Sequence, residues 1–369
     1  MRILQTLKVS NFKSIRSQEL NLQPLNVFIG GNGSGKSNLV GVFRLLKEIV
    51  GRNLAGYTQV KGGADSILYH GRKQSPEMFI DVEFGTYANP SATTSRYCVK
   101  LASSSDNALF VAEETAFTHD KSRYPKPFDW PVASNAPESR LREVAESEPT
   151  PKRILQDLDA YRVYHFHDTS DTSPAKGTSN INDNRFFRPQ AENLPAFLYY
   201  LQQQKPHSFS LMEDTVRQIA PFFDRFQLAP NRLNPSTIRL EWSERGSDAY
   251  FNASSLSDGT LRFICLCTLL LQPDLPPLIL IDEPELGLHP AAIKVLADML
   301  ESAATKTQVI VATQSVTLVN QFSPEHVWTV DREESQSVFR QLDSADRRNW
   351  LEDYALGELW EKNLLGARP

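Results

Sequence analysis

The sequence predicts an α/β protein with a mixed central sheet, an antiparallel β-meander and an inserted helical subdomain. A β-prone run, Leu25–Ile29, precedes a glycine-rich loop, and apolar residues at helical spacing follow that loop. From residue 255 onward, apolar strands alternate with helices, which is typical of a parallel sheet. Segments 79–84, 96–101 and 109–117 alternate polar and apolar residues between turns, and they predict the meander.

Local patterning and turn residues predict the remaining elements. Residues 51–76 are rich in glycine and polar residues and predict a loop or a broken helix. Six prolines interrupt residues 118–151, which predict a surface excursion with a helix only at 138–148. Residues 191–228 carry helical spacing and predict the inserted helical subdomain. The other predicted elements are strands at 4–9, 18–22, 161–167, 278–281 and 309–312, a hairpin of 237–242 and 249–254, and helices at 261–271 and 291–303.

Composition narrows the class of protein. Of the 369 residues, 40% are hydrophobic and 22% are charged, as in globular domains, and no apolar run reaches the ~20 residues of a membrane helix. A net charge of −5 argues against a protein whose whole surface binds nucleic acid. The cysteines, Cys98, Cys265 and Cys267, are sparse and odd in number, and residues 1–9 are too polar for a signal peptide. We therefore expect a cytoplasmic protein with reduced thiols.

The glycine-rich loop, residues 30–37, matches the phosphate-binding pattern G-x-x-x-x-G-K-[ST] in its required place between a strand and a helix. Glycines let successive backbone N–H groups point at phosphate oxygens, and the helix N-terminus adds its positive dipole end. Lys36 would then reach the β- and γ-phosphates, and the Ser37 hydroxyl would hold Mg²⁺. The sequence therefore predicts a nucleotide site.

Two further strands end in polar side chains that fit the same site. The apolar run 278–281 ends in Asp282, a ligand for Mg²⁺, and in Glu283, which can polarise a water for in-line attack on the γ-phosphate. Gln314 follows the buried strand 309–312 and can also reach the γ-phosphate.

A segment of small residues, 255–262, lies at the start of the predicted helix 261–271. Ser257 or Asp258 fits an N-cap, with Gly259 in the turn. A helix N-terminus preceded by small residues is also an anion site, and the two interpretations are compatible.

In this order, the pieces resemble the ATPase heads of the RecF/SMC class of ABC-type ATPases. Residues 30–37 resemble the Walker A motif, 255–262 the signature in its S-x-S-D-G-x-x-R form, and 282–283 the Walker B motif. Residues 286–290 resemble the D-loop, and 313–315 resemble the switch.

Both ends of the chain add to the resemblance. Residues 11–14 are similar to the N-F-[KR]-S opening of the class, and residues 356–363 are similar to the ending of bacterial standalone RecF-like "predicted ATPases" of the AAA family.

The resemblance implies the P-loop NTPase fold of the ABC-ATPase head type, with ATP and Mg²⁺ as cofactors. It also implies a homodimer that sandwiches two nucleotides, the signature of one chain touching the γ-phosphate held by the other. The implied catalytic residues are Glu283, as the base, and Gln314, and the implied metal ligands are Ser37 and Asp282. The implied nucleotide contacts are Lys13, Ser14, Gly30, Asn32, Gly33, Ser34, Gly35, Lys36, Ser37, Asn38, Ser255, Ser257, Asp258 and Gly259.

The sequence departs from the class in several places. Gln314 stands where histidine is usual, and since glutamine holds no positive charge we expect slow hydrolysis. No heptads lie between Ser37 and Ser257, so we expect no coiled-coil arm. Because the stretch after Val330 is short, we expect no C-terminal Toprim nuclease domain. The acidic residues of this stretch predict a solvated run rather than a nuclease centre. These residues are Asp343, Asp346, Glu352 and Asp353.

The metal-contacting glutamine of transporter-type heads has no counterpart near the end of the predicted strand 161–167. His167 or Asp168 can substitute for it. His165 and His167 alternate on that strand, so their rings share one face, but two ligands do not make a zinc site.

Members of the wider class act in DNA recombination and repair, chromosome organisation or antiviral defence, often with a nuclease domain or partner. The resemblance therefore implies a second copy as partner, together with DNA, a nuclease or another effector subunit, and no membrane. An alternative from another class is a nucleotide-dependent scaffold or sensor that hydrolyses slowly or not at all, which Gln314 favours. A third interpretation, the ATPase subunit of a membrane transporter, is disfavoured because Ser-Asp-Gly-Thr stands in place of a signature that ends in glutamine.

The motifs divide the chain into five regions. They are an ATPase lobe with the Walker A motif and the antiparallel β subdomain (1–117), the strand 161–167 between flexible excursions (118–190), a helical subdomain (191–230), an ATPase lobe with signature, Walker B, D-loop and switch (231–330), and a C-terminal tail packed on the head (331–369).

Overall fold

The structure, a computed structural model, describes residues 1–87, 89, 93–342 and 355–367. The chain forms two compact units. The first combines Met1–Val163, Pro276–Leu280 and the described residues from Thr307 onward, and the second combines Tyr164–Leu275 and Ile281–Lys306.

The elements run in chain order as follows. The strands are β1 (Arg2–Phe12), β2 (Ile15–Asn21), β3 (Leu25–Ile29), β4 (Glu77–Thr86), β5 (Thr94–Ser103), β6 (Leu109–His119), β7 (Phe128–Ala136), β8 (Arg162–Tyr164), β9 (Ser179–Asn180), β10 (Phe223–Gln227), β11 (Thr237–Ile238), β12 (Glu241–Glu244), β13 (Tyr250–Asn252), β14 (Leu278–Asp282), β15 (Gln308–Thr313), β16 (Val327–Glu333) and β17 (Gln336–Gln341). The helices are α1 (Lys36–Val50), α2 (Leu54–Val60), α3 (Ala64–Ile67), α4 (Leu141–Val144), α5 (Pro149–Ala160), α6 (Leu194–Gln204), α7 (Pro206–Ile219), α8 (Asp258–Leu270), α9 (Pro290–Ala304), α10 (Val316–Val319) and α11 (Leu356–Glu361).

The first unit contains the predicted meander as part of a larger antiparallel sheet. Its strand order is β2-β1-β4-β5-β6-β7, and every neighbouring pair is antiparallel. Leu7 at the centre of β1 lies opposite Leu20 of β2 and Val82 of β4, so buried side chains meet across three strands.

The prediction of a surface excursion over 118–151 is wrong for residues 128–136, which form β7 on the outer edge of this sheet. Pro131 lies opposite Thr115 of β6. A proline is compatible with an edge strand, because half of the backbone N–H groups there face no partner strand.

The predicted helix 138–148 is also wrong in its bounds. The chain instead forms the short α4 and the longer α5, which begins at Pro149. Pro149 and Pro151 both lie in the first turn of α5, where backbone N–H groups have no helical partner and a proline costs little.

The second sheet of the first unit has the strand order β17-β16-β3-β15-β14-β8. β3 pairs in parallel with β15 and β16, and β16 pairs antiparallel with β17, so the predicted mixed sheet is confirmed. Ile29, the last residue of β3, lies opposite Thr313, the last residue of β15. The glycine-rich loop and the switch therefore leave the sheet at the same edge. The predicted strand 161–167 is wrong in length, since β8 covers only three residues.

One apolar core holds the first unit together. It joins the meander, the mixed sheet and α1, to which Val99, Phe28 and Phe43 respectively belong. Tyr161 packs edge-on against the Phe43 ring, with ring centroids 5.8 Å apart, and its hydroxyl donates to the Phe43 carbonyl at 2.6 Å. The helix that follows the glycine-rich loop is thus anchored on its buried face.

The second unit carries the predicted helical subdomain in α6 and α7, followed by a small sheet of order β10-β12-β13. The helical interpretation is wrong for Phe223, which belongs to β10 and stacks on Trp242 with ring centroids 6.1 Å apart. The predicted hairpin forms from β12 and β13, where Trp242 lies opposite Phe251. Its predicted first strand, 237–242, is wrong in its bounds, because Thr237 and Ile238 form β11 and pair with β9 instead.

Helix α8 of the second unit is buried over nearly its whole length. It carries Cys265 and Cys267, both free and buried, and burial raises the pKa of the Cys265 thiol to about 12. Both side chains therefore pack in the interior of the second unit.

Within the described ranges, every helix is too short or too polar to cross a bilayer. The predicted acidic run at Asp343, Asp346, Glu352 and Asp353 lies outside the described residues. The division of the chain into five functional regions stays a prediction.

Candidate nucleotide-binding site

The glycine-rich loop of the first unit connects the fully buried β3 to α1, as its motif requires. Gly33 and Gly35 adopt φ angles of 78° and 120°, which side-chain-bearing residues rarely adopt. A Cβ on Gly30 would stand 2.4 Å from the Val330 carbonyl oxygen of β16. The loop needs glycine at these positions for its curvature and for its fit against the sheet.

Lys36 begins α1 and is turned back over its own loop. Its side chain is buried, at 5% exposure, and Nζ donates to the carbonyls of Gly30 and, at 3.0 Å, of Gly31. Gly35 is the N-cap, and no acidic residue lies in the first turn. The positive end of the helix and the ammonium group thus lie together at the loop, where anions bind.

The turn between β1 and β2 lies beside this loop. Ser14 is buried, and its hydroxyl accepts from Asn38 Nδ2 at 2.6 Å. Lys13 lines a cleft of 580 Å³ together with Leu68, His70 and Lys73. Burial lowers the pKa of the Lys13 ammonium, and the nearby charges of Lys61 and Arg44 lower it further.

Asp282 is the last residue of β14, after a run of buried apolar residues. Glu283 follows with a φ of 44°, in the left-handed region that residues other than glycine seldom adopt. Such backbone conformations cost free energy and persist only where the surrounding structure enforces them. They are found most often at functional sites. In the second unit, His167 Nε2 donates to the backbone carbonyl of Asp282 at 2.9 Å.

The signature segment surrounds the N-terminus of α8 in the second unit. Ser257 is the N-cap, and its hydroxyl accepts from the Thr260 backbone N–H at 3.2 Å. Ser255, Ser257 and Asp258 are exposed. The segment therefore offers hydroxyl groups and a helix N-terminus to solvent.

Arg262 ties the signature to two neighbouring segments. Its buried guanidinium donates to the carbonyls of Phe166 at 2.9 Å and His167 at 3.1 Å, and to the carbonyl of Leu286 in the D-loop. Burial lowers the pKa of this guanidinium. One side chain thus holds the signature helix, the D-loop and the segment that contacts Asp282.

The switch follows β15 in the first unit. Thr313 is buried at the end of the strand, and its hydroxyl accepts from the Ser315 backbone N–H at 2.9 Å. Ser315 caps the short α10 by accepting from Leu318 N at 3.1 Å. Gln314 lies between them and is half-buried.

A family model described as "AAA domain, putative AbiEii toxin, Type IV TA system" matches residues 25–320. The chain belongs to this AAA-domain family. No curated protein sequence matches this AAA domain.

Solved structures of SMC heads share its fold. An SMC head bound to the C-terminal winged-helix domain of ScpA matches with a TM-score of 0.60 and 15% identity, over 93% of this chain and 99% of that chain. A head domain with an extended coiled coil from Pyrococcus furiosus, bound to the C-terminal domain of ScpA, matches with a TM-score of 0.53 and 14% identity, over 96% and 99%. A head domain from Pyrococcus yayanosii matches with a TM-score of 0.52 and 11% identity, over 96% and 99%. The predicted fold class is confirmed, and the resemblance to SMC heads is confirmed at the level of the fold.

The structure of the AAA domain groups the predicted site residues within each unit. The first unit holds the loop residues with Lys13, Ser14 and Gln314, and the second holds Asp282 and Glu283 with the signature. Of the two candidates for the missing glutamine, His167 contacts Asp282, whereas the carboxylate of Asp168 accepts from Ser170 in a local turn.

Two features of the site were missed in the sequence, and only one of them, the role of Arg262, has a partial signal there. The left-handed backbone of Glu283 and the three carbonyl partners of Arg262 depend on contacts between distant segments. Arg262 could have been found from its place as the last residue of the signature pattern. The rings of His165 and His167 lie 4.0 Å apart, and within the described residues no group of three or more metal-ligating side chains was found.

We predict that Gly259→Ala destabilises the AAA domain. A Cβ on Gly259 would stand 2.5 Å from the Gly287 carbonyl oxygen, so α8 or the D-loop must move. We expect the free energy of unfolding to fall by about 1–3 kcal/mol in urea titrations, although alanine is otherwise the better helix former. Ser255→Ala, at an exposed position four residues earlier, is the control and should change it by less than about 0.5 kcal/mol. An unchanged or raised stability of Gly259→Ala would contradict the close approach.

Proposed function

We propose that the protein is an ATPase that binds Mg-ATP through the loop Gly30–Asn38. The observation that carries the proposal is the buried Lys36 ammonium over the loop carbonyls, at the N-terminus of α1. The buried Ser34 hydroxyl supports it, because within the described residues this hydroxyl has no hydrogen-bond partner and a phosphate oxygen would supply one. The cleft at Lys13 is the candidate place for the adenine.

The donor set also fits magnesium. The exposed Ser37 hydroxyl and the Asp282 carboxylate are the hard oxygen ligands that Mg²⁺ prefers, and the ion would neutralise charge on the β- and γ-phosphates. Glu283 would take the proton of the attacking water, and Gln314 would hydrogen-bond the γ-phosphate or that water.

We further propose that a second copy of the chain covers the nucleotide. The exposed hydroxyl groups of Ser255 and Ser257, with Asp258 and Gly259 at the N-terminus of α8, would contact the γ-phosphate held by the partner's loop. ATP would then favour the dimer, and hydrolysis would release it.

The partner of this switch is proposed to be DNA, a nuclease or another effector protein, in repair or antiviral defence. Two observations support this proposal. Two SMC heads of similar fold were solved with ScpA bound, and the family description names a putative toxin of a toxin–antitoxin system. The free, buried thiols fit a cytoplasmic location.

A slowly hydrolysing scaffold or sensor is the second candidate, and Gln314 is the residue that favours it, since glutamine cannot stabilise charge as histidinium does. Single-turnover ATP hydrolysis, measured with and without DNA, separates the two. A turnover rate that DNA raises supports the ATPase. A rate near zero in both conditions, with ATP-dependent dimerisation intact, supports the scaffold.

Mixing two inactive variants tests the shared site. Lys36→Met removes the loop lysine, and Ser257→Arg blocks the signature, so each variant alone should lose ATPase activity. In an equal mixture that pairs at random, half of the dimers contain both variants. Each of these dimers carries one intact site of two, so about a quarter of the parent activity should return. A mixture as inactive as its components, although it dimerises with ATP, would contradict the shared site.

A further inference from the structure

Ser337 of β17 contacts the phosphate-binding loop and belongs to none of the sequence motifs. It is fully buried, at 0% exposure. Its hydroxyl contacts the Ser34 carbonyl oxygen at 2.5 Å and the Ser14 hydroxyl at 2.6 Å. Its backbone N–H donates to the Ser14 carbonyl at 2.7 Å. All of these residues belong to the first unit.

The hydrogen-bond chemistry gives these contacts one direction. A carbonyl only accepts, so the Ser337 hydroxyl proton goes to Ser34. The Ser337 oxygen must then accept the proton of Ser14, and the Ser14 oxygen accepts from Asn38 Nδ2 at 2.6 Å. The four groups form a single relay from the first turn of α1 to the loop, in which each bond polarises the next.

The end of the relay determines how one peptide group of the loop is turned. A trans peptide carries its C=O and its N–H on opposite sides, so holding the Ser34 carbonyl against β17 turns the Gly35 N–H the other way. A Cβ on Gly35 would overlap the Ser337 hydroxyl, so the contact also requires glycine at this position. Gly35 is the N-cap of α1 and carries one of the N–H groups that the motif offers to phosphate.

We propose that Ser337 is a positioning residue for nucleotide phosphates, which acts by holding the Ser34–Gly35 peptide with its N–H toward the phosphate site. The inference rests on the proposed function, because it assigns a role within the same loop. Ser14, expected above to contact the nucleotide, would act through this relay as well.

The test is nucleotide affinity at a temperature where all variants are folded. Ser337→Ala leaves the buried Ser34 carbonyl without its donor and the peptide free to turn, so we expect the Kd for ADP and for ATP to rise about ten-fold, by similar factors. Titration of a fluorescent ADP analogue, with unlabelled ATP as competitor, measures both.

The matched control is Thr307→Val. Thr307 is also buried, its hydroxyl donates to the Pro276 carbonyl, and it precedes β15 at the end of the sheet away from the loop. This variant should lower the unfolding temperature as Ser337→Ala does, yet leave both Kd values within about two-fold of the parent. A merely structural role for Ser337 predicts the same behaviour for both variants.

Coupling provides a second measurement. Ser14→Ala removes the donor that orients Ser337, and its effect should not add to that of Ser337→Ala in the double variant. If Ser337→Ala does not fold, the nucleotide affinity of Ser14→Ala tests the proposal instead. An unchanged Kd of Ser14→Ala then overturns the proposal. If the parent binds neither nucleotide, the proposed function fails; if the parent binds and Ser337→Ala binds equally well, only the role of Ser337 fails.

Discussion

Lys36→Met is expected to weaken nucleotide binding severely, with the Kd for ATP raised by about 10²–10³. The substitution keeps an unbranched side chain close in length to the aliphatic stem of lysine and removes the ammonium group that lies over the Gly30 and Gly31 carbonyls. A hydrogen bond between charged groups contributes about 1.5–3 kcal/mol, and several such bonds to phosphate would be lost. Isothermal titration with ATP and Mg²⁺ measures the change.

Lys47→Met is the matched control on the same helix. Lys47 packs over the Tyr161 ring, with Nζ 5.0 Å from its centroid, and burial lowers the pKa of Lys47 to about 8. Its replacement should change stability and leave ATP affinity unaltered. If Lys36→Met bound ATP as the parent does, the loop would not be a nucleotide site and the proposed function would fall.

The second large effect is expected from Glu283→Gln, which should reduce the single-turnover hydrolysis rate by about 10²–10⁴ while ATP binding persists. Glutamine keeps the shape of glutamate but cannot accept the proton of the attacking water. The ATP-bound dimer should therefore accumulate, and light scattering with and without ATP measures it.

Glu301→Gln provides the control for loss of one negative charge, because Glu301 is exposed on α9. It should hydrolyse ATP at the parent rate. Parent-like turnover by Glu283→Gln would remove Glu283 from the role of base, without affecting the assignment of the nucleotide site.

Much of the fold could be predicted because its signals are local. Runs such as Leu278–Asp282 and Gln308–Thr313 are apolar enough to indicate buried strands, and the motif before α1 specifies its own strand–loop–helix context. The elements that were missed contain residues with opposite local preferences. Pro131 argues against a strand and Pro149 against a helix, unless one knows that the first lies at a sheet edge and the second in a first helical turn.

The site was predictable only where residue type and spacing carry the chemistry. Lys36, Asp282 and Glu283 stand in such patterns, whereas Ser337 does not, since a serine in a strand has no motif and its partner Ser34 is some 300 residues away in the chain. The positive φ of Glu283 likewise depends on tertiary contacts that overrule its backbone preference.

The proline in β7 also matters for the outer rim of the meander sheet. An unpaired strand edge is a template on which another chain can add by backbone hydrogen bonding. Pro131 lacks a backbone N–H donor, and the pairing of β7 with β6 shifts register between Glu114 and Thr115. This rim of the folded protein is therefore a poor template for the addition of another strand.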